Sequence, residues 1–153
     1  MERTLVIIKP GAVQRGIAGE VISRFEKRGL KIIAMKMVRL TPEICKVHYA
    51  HLLEKPFYPW LESGMTAGPV ILMCVEGCDA IHAVHEMAGA TNGRKAAPGT
   101  IRGDYCLSAQ ENVVHTSDSP ETAEKELARF FVPSDFCEWD TPLVDFLYAP
   151  DEK

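Results

Sequence analysis

From Pro69 to Val75 the chain reads Pro-Val-Ile-Leu-Met-Cys-Val, apolar at odd and even positions alike. A pleated strand turns alternate side chains to opposite faces, so a run with no polar side belongs in the interior of a sheet. Three shorter runs offer it partners. Thr4 to Ile8 is β-branched and is cut by Pro10; Leu30 to Leu40 carries Ile32, Ile33, Met35, Met37 and Val38; Asn112-Val113-Val114 lies late in the chain. Between them the spacing turns helical. Gly16 to Lys27 presents Ile17, Val21, Ile22 and Phe25 before the stop Arg28-Gly29. Thr41-Pro42-Glu43 is an N-cap followed by proline at the first helical position, and its helix is expected through Ile44, Val47 and Leu52 to Leu53, with Pro56 as breaker. A short helix near Pro59 to Ser63, one from Asp79 to Ala88, and one from the cap Ser119-Pro120-Glu121 to Phe131 complete the set. This order predicts an α+β fold, a ferredoxin-like βαββαβ sandwich with an antiparallel sheet and helices on one face. A long irregular segment, Gly89 to Glu111, and a tail from Val132 remain outside that frame. Long loops in compact chains usually carry function.

With 153 residues, the chain is expected to form a single domain over 1–153, large enough to need neither metal nor disulfide for its core. At 46% hydrophobic and 25% charged residues, a disordered tail, a collagen-like chain and a disulfide scaffold are excluded. Seventeen basic and 21 acidic residues leave a net charge of −4, which argues against nucleic acid as a partner. Leu5 to Ile8 is too short for a secretory h-region, and no stretch approaches the ~18 apolar residues of a membrane span. The five scattered cysteines read as reduced thiols, so a cytoplasmic location is expected.

Several motifs bear on chemistry. Gly11 to Ala18 has P-loop glycine spacing without the Lys-Ser/Thr pair that grips phosphate and reads as a turn leading into a helix. Cys74, Cys78, His82 and His85 form a C-x3-C-x3-H-x2-H array, but Cys74 sits inside the apolar strand, so these read as buried thiols and surface histidines. Lys9, after the first strand, is either a solvated charge or a cation projecting from the sheet's end. Tyr49, Phe57, Tyr58 and Trp60 are core aromatics, or one of them offers a face on which a base stacks. The richest segment is Asn112-Val113-Val114-His115-Thr116-Ser117-Asp118, with Glu126 farther along. His115 there is either a nucleophile or acid–base group beside a helix N-terminus and hydroxyls, or a satisfied structural histidine.

Whole blocks of residues lie in family order. They include Lys9-Pro10, Val13-Gln14-Arg15-Gly16, His48-Tyr49, Lys55-Pro56-Phe57, Gly68-Pro69-Val70, Gly89-Ala90-Thr91-Asn92, Pro98-Gly99-Thr100-Ile101-Arg102-Gly103-Asp104 and Asn112-x-x-His115-x-Ser117-Asp118. Over nearly its whole length the chain resembles the nucleoside diphosphate kinases. The resemblance implies ping-pong transfer of a γ-phosphoryl group from a nucleoside triphosphate to a nucleoside diphosphate, with broad base and sugar tolerance. It implies His115 as nucleophile, Glu126 and Ser117 holding its ring, and Lys9, Tyr49, Thr91, Arg102 and Asn112 lining the phosphate and ribose region. Phe57 would stack on the base. Mg²⁺ is the implied cofactor, held mainly by the nucleotide phosphates rather than by protein ligands. A homo-oligomer is implied, a hexamer ahead of a tetramer, with no membrane partner. Three departures stand out: Gly11-Ala12 where the family usually has Asp-Gly, Thr116 where a glycine or alanine is usual, and His85 at the place of a phosphate-contacting arginine. His85 is expected to keep a weaker phosphate contact, with Arg94 or Lys95 as another source of the missing charge. The tail, with Trp139 and Tyr148 as anchors, is expected to pack on its own core or on a neighbouring subunit. A rival reading, motivated by the departures, is a catalytically weak nucleotide-binding relative.

Overall fold

The computed structural model describes all residues from Met1 to Lys153. The apolar run becomes β3 (Val70–Gly77), and β1 (Glu2–Ile8) lies antiparallel along it from Glu2↔Gly77 to Ile8↔Ile71. On the far side of β3 runs β2 (Lys31–Val38), and on the far side of β1 the short β4 (Val114–Thr116), giving the antiparallel order β2-β3-β1-β4. That is the ferredoxin-like arrangement, and β3 is interior as its composition requires.

Three boundaries differ from expectation. A short helix, α1 (Pro10–Gln14), forms where a turn was expected, and the helix expected over Gly16 to Lys27 starts two residues late as α2 (Ala18–Lys27), behind Gly16 at φ 72, a left-handed angle that costs glycine little. The helix begun at Thr41 is α3 (Pro42–His48); its cap hydroxyl accepts from the Ile44 N–H, but a 3₁₀ turn over Ala50–Leu52 replaces its expected second half. The last strand lies two residues later than predicted, so His115 sits within β4 opposite Ile7.

The remaining helices are α4 (Tyr58–Thr66), α5 (Ala80–Ala88), α6 (Ile101–Tyr105), α7 (Pro120–Phe130) and α8 (Val144–Leu147). Val6, Ile8, Met73 and Val75 pack against Val21 and Phe25 of α2 and Val84 of α5. Leu5, Ile7, Leu72 and Cys74 pack against Cys45 of α3, Leu61 and Met65 of α4, and Leu127 and Phe130 of α7. The expectation of helices on one face therefore holds for the crossover helices α2 and α5 and fails for the sheet as a whole. Alternate residues of β1 and β3 are apolar on both sides, and at ~25 cal/mol per Å² neither face is stable in water.

The tail packs on its own chain. β2 is irregular between Ile32 and Ala34, and the tail takes up the carbonyls there: Cys137 N–H donates to Ile33 O at 2.7 Å and Trp139 Nε1–H to Ile32 O at 3.0 Å. Tyr148 Oη accepts from the Cys78 N–H at 3.2 Å. Both expected anchors are engaged, while Leu143 and Phe146 point outward. No helix is long and apolar enough to cross a membrane.

Candidate active site

Lys9 leaves the end of β1, its N–H bonded to Val113 O at 2.9 Å, with Pro10 starting α1 behind it. Its side chain is only 7% exposed and Nζ meets Gln110 O at 3.3 Å. Burial, with the Arg102 guanidinium beside it, pushes the ammonium pKa down to about 8, while Glu111 pulls the other way. Glu111 in turn faces the first departure. Its carboxylate lies 2.9 Å from where a Cβ on Gly11 would stand, and as close to one on Gly64. A side chain at position 11 would displace Glu111.

Arg102 lies in the first turn of α6, whose cap Thr100 accepts from the Gly103 N–H at 2.9 Å. The guanidinium is buried and donates to three carbonyls: Nη1 to Gly89 O (2.7 Å), Nε to Asn112 O (3.1 Å) and Nη2 to Val114 O (2.7 Å). Two of these flank Val113, a β-branched residue at φ 73 with its neighbours closing a γ-turn, Val114 N–H to Asn112 O at 2.8 Å. Such backbone costs about 1–3 kcal/mol and persists only where surroundings enforce it. Arg102 is thus first a clamp on the turn that delivers β4. A guanidinium has five N–H groups, so two remain for a ligand. Asn112 ties the long loop to the same turn through Nδ2, bonded to Thr91 O (3.0 Å) and Ala109 O (2.9 Å).

His115 projects from β4 with its side chain 20% exposed. Nε2 lies 2.6 Å from Glu126 Oε2, and Ser117 Oγ donates to the same oxygen at 3.3 Å. Glu126 is buried on α7, so the carboxylate is fixed from behind. A carboxylate only accepts, so Nε2 carries the proton and the lone pair is on Nδ1. His48, at the end of α3, packs edge-on against His115 with ring centroids 4.4 Å apart. Its Nδ1 accepts from Arg129 Nη1 at 3.0 Å, and burial together with the charges of His115 and Arg129 pushes its pKa down to about 2. A neutral wall therefore backs His115. Sequence reasoning used His48 only as part of a motif, since nothing local marks a histidine at a helix end as buried. His48, His115 and Glu126 bring potential ligand atoms within 4.8 Å of one another, but Glu126 is already committed to His115 and Ser117.

These elements enclose a cleft of about 450 Å³. Lys9, Arg102, Asn112 and His115 line it, as do Tyr49, Phe57, Thr91 and His85; Ser117 and Glu126 stand outside it, behind the histidine. The apolar wall is Phe57 with Leu52, Leu61 and Ala109, of which only Phe57 was singled out from sequence. Asn112 Oδ1 and Tyr49 Oη are buried without a partner in the protein, and burial raises the Tyr49 pKa so that its hydroxyl stays a donor. The other two departures touch each other: His85 Nδ1 lies 3.3 Å from Thr116 Oγ1. Arg94 does not line the cleft but a separate hollow with Trp60 and Leu107, whereas Lys95 shares an adjoining hollow with His85. The sequence array of Cys74, Cys78, His82 and His85 does not gather: all five cysteines are free and Cys78 Sγ donates to Glu152 O at 3.1 Å.

Cations beside an imidazole with one free nitrogen, an aromatic face, and unpartnered polar atoms define a phosphotransferase that works on a planar, polyanionic ligand. Comparison with known proteins agrees. A family model described as nucleoside diphosphate kinase matches residues 2–136. A nucleoside diphosphate kinase of Parabacteroides distasonis is 59% identical over 99% of both chains, and one of Rhodopirellula baltica 52% identical over 99% of this chain and 100% of that one. The structure of a halophilic nucleoside diphosphate kinase from Halobacterium salinarum, in complex with CDP, superposes with a TM-score of 0.94 at 41% identity, covering 97% of this chain and 99% of that one. The chain belongs to the nucleoside diphosphate kinase family. It is a phosphotransferase that moves the γ-phosphoryl group of a nucleoside triphosphate to a nucleoside diphosphate through a phosphohistidine.

Proposed function

We propose that His115 is the phosphorylated residue and that residues 1–153 carry the reaction as one domain. The 2.6 Å contact between Nε2 and Glu126 carries this reading, because it leaves Nδ1 as the nitrogen with a free lone pair. In the first half-reaction Nδ1 attacks the γ-phosphorus in line, the N–P bond forms, and the bond to the bridging β,γ-oxygen breaks as the diphosphate departs. Glu126 stabilises the imidazolium charge that develops, with Ser117 keeping the carboxylate oriented. In the second half-reaction a terminal oxygen of another nucleoside diphosphate attacks the same phosphorus and the N–P bond breaks. Lys9 and the two free N–H groups of Arg102 bear on the equatorial oxygens, where charge spreads in the transition state.

Tyr49, Thr91 and Asn112 would hold ribose and phosphate oxygens. Phe57 is half-buried and offers a ring face, which purines and pyrimidines satisfy equally, so base tolerance is broad. The cleft lining holds a single carboxylate, Asp118, so this chain brings no cage of oxygen ligands. The fit is to Mg²⁺ arriving on the nucleotide phosphates, where it neutralises charge. A cytoplasmic homo-oligomer, hexamer before tetramer, completes the reading; outward-facing Met35 and Met37 on β2, past the two residues whose carbonyls the tail takes up, support association.

Incubation with γ-labelled ATP and Mg²⁺, followed by a GDP chase, tests the proposal. Acid-labile label is expected on the wild type, absent from His115→Ala, and transferred to GDP. Label retained by His115→Ala would overturn the assignment, and wild type that binds nucleotide without labelling would restore the weak-relative reading.

A further inference from the structure

His85 rises from the cleft-facing side of α5, whose backbone is held by the fully buried Val84 and Ala88. Its ring is exposed, so nothing but a specific contact decides which nitrogen faces the cleft. That contact is the Thr116 hydroxyl, 3.3 Å from Nδ1. Thr116 is 7% exposed, is pinned in β4 opposite Val6, and follows His115 directly. Its hydroxyl makes no other hydrogen bond.

We propose that Thr116 is a positioning residue for His85, turning the imidazole so that its Nε2–H donates to a phosphate oxygen of the bound nucleoside diphosphate. The proposal rests on the phosphate cleft described above and adds how this chain completes it. A hydroxyl is both donor and acceptor. It therefore holds Nδ1 in either tautomer and keeps Nε2 as the nitrogen that faces the cleft. With an anion bound there, the favoured neutral ring carries its proton on Nε2 and Nδ1 accepts from the hydroxyl; toward a protonated ring the hydroxyl rotates and accepts from Nδ1–H. Without the hydroxyl the ring is free to rotate, and Nε2 is no longer held where its N–H meets the anion. An exposed imidazole becomes a directed donor because a buried neighbour fixes its orientation.

A double-mutant cycle on steady-state transfer to ADP, with KM and kcat read separately, tests the pairing. Thr116→Val keeps the shape and removes the hydroxyl; it is expected to raise KM for ADP about fivefold, the scale of one net hydrogen bond, with kcat little changed. His85→Ala should raise KM about tenfold, and the double variant no further, because Thr116 then has nothing to orient. His85→Gln, whose amide nitrogen reaches the place of Nε2, should restore most of the affinity, and His85→Asn should not. Equal loss from Thr116→Val with and without His85 would overturn the proposal, as would an unchanged KM. A fall in kcat alone would mean that Thr116 acts on His115 instead. Phosphoenzyme formation from ATP, measured first on wild type and Thr116→Val, separates the two levels. No phosphohistidine on the wild type defeats the catalytic assignment, whereas normal phosphohistidine with an additive cycle defeats only this pairing.

Discussion

Replacing Lys9 by methionine should make the protein more stable and far less active. Lys9 is buried among groups that include a second cation, and its pKa falls from the ordinary 10.5 to about 8. At 1.36 kcal/mol per unit, that displacement is a folding cost of about 3 kcal/mol at pH 7. Its single hydrogen bond, to Gln110 O at 3.3 Å, returns about 1 kcal/mol. Methionine keeps the length of the stem and removes the charge, so Lys9→Met should gain about 2 kcal/mol, or about 4–8 °C in Tm. The sign follows from proton counts. Below pH 8 Lys9 is protonated folded and unfolded, and the cost is present in full. Between about 8 and 10.5 the folded form sheds its proton while the unfolded chain keeps it, so wild-type stability rises with pH relative to the variant and the gap closes. Urea denaturation of both proteins at pH 7 and at pH 9.5 measures the gap directly. In the same range, nucleotide binding must restore the proton on Lys9. ADP titrated calorimetrically at pH 8, in buffers of differing ionisation enthalpy, should therefore show an uptake of about half a proton that Lys9→Met abolishes. A variant less stable than wild type at pH 7, or a gap that does not narrow with pH, would refute the reasoning.

Three further outcomes are expected. Arg102→Lys keeps a charge but cannot span Gly89 O, Asn112 O and Val114 O; it should lower stability by about 3 kcal/mol in denaturant titration, besides its effect on turnover. Glu126→Gln offers an amide N–H to Nε2 and so favours the tautomer with its proton on Nδ1; phosphorylation by ATP should slow at least about a hundredfold in single-turnover measurements, with ADP affinity unchanged. Truncation after Phe131 strips the tail from Ile32 O and Ile33 O and leaves the edge of β2 open; a fall of about 3 kcal/mol or more in stability is expected by thermal denaturation.

What could be read from the sequence was what is decided locally. The two proline caps, Thr41-Pro42 and Ser119-Pro120, start helices where predicted because a cap bonds only to the next turn. The interior position of β3 follows from its own residues. The late start of β4 does not: valine has no local reason for φ 73, and the guanidinium that enforces it comes from Arg102, back in α6. The helical cover on the second face of the sheet was implied by β3 itself yet went unpredicted, because the ferredoxin-like pattern counts only the crossover helices. Cleft residues were legible as motif blocks, but Arg102 reads in sequence as a phosphate ligand and in the fold as a clamp too. His48 behind His115, and the pairing of His85 with Thr116, need the third dimension to be seen at all.

The placement of β4 also dates the appearance of the proposed nucleophile. β1, β2 and β3, with α2 and α5, lie in the first part of the chain and can dock before the rest exists. His115 joins this sheet by pairing with Ile7, near the other end of the chain in sequence, and its carboxylate partner is later still, on α7. Closing so long a loop is slow and is rewarded only when the distant contacts are all present. A chain synthesised only as far as α5 carries three of the four strands and lacks both His115 and Glu126. The proposed phosphoryl acceptor thus joins the sheet only after the other three strands have been made, and the carboxylate that orients it comes later still.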